Sequence, residues 1–154
     1  MGWLLDSGAT HHVTHDLDNL ALHSPYDGTE ELIIGDGLGL AISNTGSTSL
    51  LTNTTTFNLN HIICVPFIFC NIVSISKFCH DNITSITFLP NSSVVKDLHT
   101  GALLLQGPTK SDIYEWHPTC PAVHSIKLSS ITNWHHHLDY HLIPFYVTLA
   151  MLLM

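Results

Sequence analysis

The sequence predicts a mainly β fold, a barrel of short strands with a short C-terminal helical tail. Three observations lead there. Short runs rich in β-branched and apolar residues recur along the first two thirds of the chain, each bounded by turn residues. An Asp-Gly pair stands between two apolar runs, a strong hairpin signal. The strands follow one another at about the spacing expected of a barrel. Hydrophobic residues make up 45% of the 154 and charged ones only 10%, so a core can form.

In chain order, Trp3-Leu4-Leu5 reads as an apolar strand running into Asp6. The runs 31–34 and 38–42 flank Gly35-Asp36-Gly37 as a hairpin. Gly46 then separates a third strand, 47–51, and a fourth spans 54–63. Within it Phe57, Leu59 and His61 alternate with polar residues, as in a half-buried strand. Pro66 breaks the run. A strand over 71–75 precedes a single helical turn over 76–80, and strands over 83–89, 93–96 and 103–106 complete the set. From Pro108 to Leu128 the chain turns linker-like, with Pro118 and Pro121. The domain reading is therefore 1–116 for the β-barrel, 117–131 for a linker, and 132–154 for a helical remainder capped by Ser129 or Thr132. The closing 13 residues, 142–154, read as an amphipathic or buried helix. They are too few to span a bilayer, and Pro144 interrupts them.

Four Lys/Arg against twelve Asp/Glu give a net charge of -8, which repels phosphate backbones and disfavours direct nucleic-acid binding. Thirteen histidines make that charge sensitive to mild acid. Cys64, Cys70, Cys79 and Cys120 form no CxxC pair, so reduced thiols in a cytoplasmic setting are expected.

Asp6-Ser7-Gly8-Ala9, followed by Thr10, is the stretch that points to chemistry. A carboxylate at a strand end can activate water, and glycine lets backbone amides approach it without a Cβ in the way. Apolar residues before it anchor the loop where water is scarce. From these residues alone, Asp6 ending a strand with Ser7-Gly8 as an ordinary turn stays open.

Residues 3–14 resemble the protease opening of copia-type LTR-retrotransposon Pol polyproteins. Further blocks are similar to the same family in the same order: Ile63-Cys64-Val65-Pro66, the run 71–78, Ile86-Thr87-Phe88, the run 95–101, and Asn133-Trp134-His135-His136-His137-Leu138. The last resembles the start of the GAG-pre-integrase segment. The resemblance covers about residues 3–141 and implies a retropepsin-like β-barrel and an aspartic endopeptidase processing a Gag-Pol polyprotein. No cofactor and no metal are expected for this chain.

Such a peptidase uses two carboxylates sharing one proton. This chain offers one Asp-Ser-Gly-Ala, because Asp27, Asp36 and Asp97 lack the hydroxyl-glycine order. The resemblance therefore implies a homodimer with Asp6 from each copy on the two-fold axis. Ser7 would reach to the opposite loop and Thr10 would brace its own. Gly35-Asp36-Gly37 is a candidate substrate-covering flap, or an ordinary hairpin turn. The few residues before Asp6 suggest a chain that begins inside its domain. Ser74 stands where many such peptidases place glycine, and Asp139-Tyr140-His141 replaces the Gly-His-Pro of the pre-integrase segment. No Cys pair follows to complete that segment's zinc site. A non-catalytic β-barrel remnant of a transposon polyprotein is the alternative.

His11, His12 and His15 are dense enough to suggest metal ligands, yet no acidic or cysteine partner has ligand-like spacing. His137 and His141 lie one helical turn apart, which a pre-integrase remnant explains better. No His-Glu-x-x-His and no Gly-x-Ser-x-Gly occurs.

Overall fold

The structure, a computed structural model, describes residues 2–52 and 54–117. In chain order the strands are β1 Trp3–Asp6, β2 Val13–Thr14, β3 Leu22–Pro25, β4 Glu31–Ile33, β5 Gly39–Ala41, β6 Asn44–Leu51, β7 Thr56–Cys64 and β8 Asn71–Ser74. One helix, α1 Ile75–Asn82, follows, and then β9 Thr84–Leu89, β10 Ser92–Asp97, β11 Leu103–Lys110 and β12 Ile113–Trp116. A 3-10 turn at Leu17–Asn19 links β2 to β3. Among the described residues the fold is mainly β with one short helix. The helical remainder expected over 132–154 lies outside the described residues, as does the linker over 118–131.

Ten strands form one sheet in the order β3-β6-β7-β2-β8-β1-β12-β11-β10-β9, and β4-β5 stand apart as a hairpin. Among the described residues the sheet has two unpaired ends, β3 and β9, so its hydrogen bonding does not close into the barrel expected from strand spacing. Strand count and spacing do not specify which edges meet. Here Pro25 lies in edge strand β3, where a missing N–H does no harm.

β8 is buried along its whole length because the sheet is covered on both faces there. Val73 joins a core of Trp3, Phe57, Leu59, Ile62, Phe78, Val95 and Trp116. Its neighbour Ile72 joins a second core of Ala9, Val13, Leu32, Ile63, Val65 and Ile68. α1 drops Phe78 into the first core, with its ring centroid 5.0 Å from Phe57 and 4.9 Å from Trp116. Polar groups fasten β8 to β2: Thr14 Oγ1 donates to Asn71 Oδ1 at 2.8 Å, and Asn19 Nδ2 donates to Thr14 Oγ1 at 2.9 Å.

Four local expectations are corrected. His61 does not continue the inward alternation of Phe57 and Leu59. It is exposed at φ 54, and the β6–β7 register shifts between Gly46 and Thr48, so a bulge resets the phase and puts Ile62 inward. Gly46 lies inside β6 rather than before it, because a Cβ there would meet the Leu22 carbonyl of β3; only glycine lets the two strands come this close. The single helical turn is a two-turn helix, capped by the Ser74 side chain, which accepts from Lys77 N. The linker expected from Pro108 is strand as far as Trp116. Ser92↔Pro108 closes the β10–β11 ladder and Thr109↔Tyr114 opens the β11–β12 one, so the missing proline N–H falls where one pairing hands over to the next.

Candidate functional site

Asp6 is the last residue of β1 and pairs in parallel with Ser74, the last residue of β8. An apolar β1, with Trp3 buried and Leu5 packed on the first core, fixes the strand that delivers it. The side chain is half-buried, while Ser7, Gly8 and Thr10 are exposed. Gly8 N donates to Asp6 Oδ1 at 2.7 Å, so the loop folds its own amide onto the carboxylate. Ala9 is buried in the second core and its carbonyl accepts from Ser74 Oγ at 2.7 Å. Thr10 Oγ1 lies 3.1 Å from His11 Nδ1. Asp6, Ser7, Gly8, Ala9 and Thr10 thus form one short loop, tied to β8 at one end and to the core in its middle.

The hairpin carrying Gly35, Asp36 and Gly37 shares a hydrophobic core with that loop. Leu32 of β4 is fully buried in the same core as Ala9, with Ile34 and Leu40 against it. At the root, Tyr26 donates to Glu30 Oε2 at 2.7 Å. The tip itself is exposed. Gly37 has φ 86, the left-handed residue that a three-residue hairpin loop needs, and Asp36 Oδ1 accepts from Leu38 N at 2.9 Å. The structure therefore brings both sequence-predicted groups to the same small core, with the hairpin tip left free of it.

The histidines beside the loop make separate contacts rather than converging. His12 is fully buried and its Nδ1 accepts from Ser74 N at 3.1 Å. His15 Nδ1 lies 3.1 Å from Asn71 Oδ1. Among the described residues no group of three His, Cys, Asp or Glu side chains is placed to hold a metal ion. Burial, with Lys77 next in weight, lowers the pKa of both His11 and His12 to about 4. Cys70 is half-buried; desolvation, then the charges of Asp6 and Glu115, push its thiol up. Cys64, Cys70 and Cys79 form no disulfide. No helix among the described residues is long and apolar enough to cross a membrane. The cluster at 135–137 with His141 lies outside the described residues.

Two residues that sequence reasoning did not assign to this loop hold it. Ser74 was visible only as a departure from glycine, and His12 only as a metal candidate. A helix-capping serine directly before Ile75-Ser76-Lys77-Phe78 was the available signal for the first. Nothing local signals the second, because its partner is 62 positions away.

Comparison with known proteins bears on the whole arrangement. No solved structure matches. The chain is 52% identical over 114 residues to the retrovirus-related Pol polyprotein from transposon RE1 of Arabidopsis thaliana, and 49% identical over 114 residues to that from transposon RE2 of the same plant. Each match takes in 74% of this chain and 8% of the relative, so the chain spans only a small part of the polyproteins it matches. The family model described as Pol polyprotein, beta-barrel domain, matches residues 3–83, which hold the Asp6 loop, the hairpin, β8 and α1. The chain belongs to the Pol polyprotein beta-barrel domain family.

Proposed function

We propose that this chain is the retropepsin-like segment of a copia-type Pol polyprotein and acts as an aspartic endopeptidase on polyprotein junctions, as a homodimer. The observation that carries the reading is the Asp6 loop: a half-exposed carboxylate at a strand end, turned onto its own Gly8 amide and flanked by exposed Ser7, Gly8 and Thr10. One such loop supplies one carboxylate. The second comes from Asp6 of another copy across a two-fold axis.

In that pair, one carboxylate takes a proton from water while the water oxygen bonds to the scissile carbonyl carbon. The other carboxyl gives its proton to the carbonyl oxygen. Collapse of the tetrahedral diol breaks the C–N bond and sends a proton to the leaving nitrogen. The tip at Gly35, Asp36 and Gly37 is free to close over a bound peptide, while Leu32 keeps the hairpin's root fixed. The acidic surface fits a peptide substrate better than a nucleic acid. The cytoplasm, inside assembled particles, is the compartment this role requires.

The test is pepstatin-sensitive cleavage of peptides spanning Pol junctions. Asp6→Asn abolishes cleavage while the fold and dimer persist. Cleavage undiminished in Asp6→Asn refutes the assignment. The second reading, a non-catalytic β domain, is favoured by the family's description, which names a β-barrel and no peptidase. Monomeric sedimentation with no cleavage across mildly acidic pH supports it.

A further inference from the structure

His12 is an unusual core residue. It is among the largest fully buried side chains, and its ring sits in the connection between Asp6 and β2. Its Nδ1 accepts the Ser74 amide hydrogen at 3.1 Å. A ring nitrogen that accepts carries no proton, so the neutral ring bears its hydrogen on Nε2. Nε2 is buried and has no hydrogen-bond partner among the described residues. An unpaired buried donor is unfavourable. An apolar side chain of the same size would avoid it, unless the acceptor on the other side of the ring is needed.

The Ser74 amide shows why it is needed. Ser74 ends β8 and caps α1, so its N–H stands where strand pairing stops and before any helical acceptor exists. The same residue's Oγ donates to Ala9 O at 2.7 Å, and its backbone pairs with Asp6. Ser74 is therefore the hub that holds the Asp6 loop, and His12 holds Ser74.

We propose that His12 is a positioning residue for Asp6, acting as a hydrogen-bond acceptor through Nδ1 in the Nε2–H form and locking the loop to the β8–α1 junction through Ser74. The catalytic consequence rests on the endopeptidase reading; the clamp itself does not. Protonation would fill Nδ1 and break the clamp. Burial is the main barrier to that, with Lys77 of α1 and His61 of β7 adding to it and Asp81 of α1 opposing it, so the clamp holds down to about pH 4.

Two measurements on the full-length chain decide the clamp. Nitrogen-15 spectroscopy of the wild type is expected to show His12 protonated at Nε2 and bare at Nδ1; a proton on Nδ1 overturns the proposal. Amide exchange at Ser74 and Gly8 is then compared between His12→Asn, whose side-chain oxygen stands near the Nδ1 position, and His12→Phe, which fills the space without an acceptor. Exchange is expected to quicken about tenfold in His12→Phe relative to His12→Asn, the scale of one lost hydrogen bond. Equal exchange in the two variants overturns it. In the cleavage assay, His12→Phe lowers kcat with KM little changed and His12→Asn restores it; equal kcat in both also overturns it. Absence of cleavage by the wild type removes the endopeptidase reading alone, because the tautomer and exchange results stand without it.

Discussion

Acid should weaken this domain chiefly through one fully buried side chain, and the structure gives the size of the effect. His12 has its pKa lowered from 6.5 to about 4, chiefly because its fully buried ring loses solvation on charging. An unfolded chain takes up that proton as pH falls through about 6.5, whereas the folded chain resists until about 4. Stability from this group is therefore complete above about pH 6.5, falls on the way down to about 4, and levels off below. At about 1.4 kcal/mol for each pH unit, the drop from 6.5 to about 4 amounts to about 3 kcal/mol. His11 moves in the same direction, also to about 4, but its ring is partly open to water, so solvent screening discounts what it contributes to stability. Urea unfolding of the wild type and His12→Asn from about pH 7 to about pH 4 measures the effect as a difference in slope, independent of any packing loss common to all pH values. The wild type should lose about 3 kcal/mol more than the variant over that range. Parallel curves would refute the reasoning. On the endopeptidase reading proposed above the consequence is a conflict: an aspartic dyad favours mild acid, and this fold loses support there. On that reading, cleavage should be confined to the window above about pH 4.

Three further outcomes follow from packing. Phe78→Ala removes the fully buried ring that meets Phe57 and Trp116, and should cost about 3–5 kcal/mol by urea unfolding. Ser74→Ala deprives the Ala9 carbonyl of its donor and α1 of its cap; about 2 kcal/mol is expected, with faster exchange at Gly8 as the local sign. Gly46→Val drives a side chain into the Leu22 carbonyl, so β3 should detach first, seen as lost amide protection over 22–25 at a cost of about 1–3 kcal/mol.

The chain by itself determined its punctuation and the loop that carries Asp6. Asp36-Gly37 wrote the hairpin, Pro66 ended β7, and Asp6-Ser7-Gly8-Ala9 announced a carboxylate at a strand end. Each of those signals acts over a few residues, through φ preferences and side-chain hydrogen bonds to nearby backbone, and so is legible without partners. Pairing and burial are not local. That β8 is covered on both faces, that a bulge at His61 turns Ile62 inward, and that Pro108 sits within a strand depend on partners on other strands, beyond the reach of local sequence. The open ends at β3 and β9 belong with them, since short strands at regular spacing suit a closed or an open sheet equally. His12 shows the division most clearly. In sequence it is one histidine among thirteen, and only the arrival of Ser74 beside it gives its ring nitrogen a hydrogen to accept.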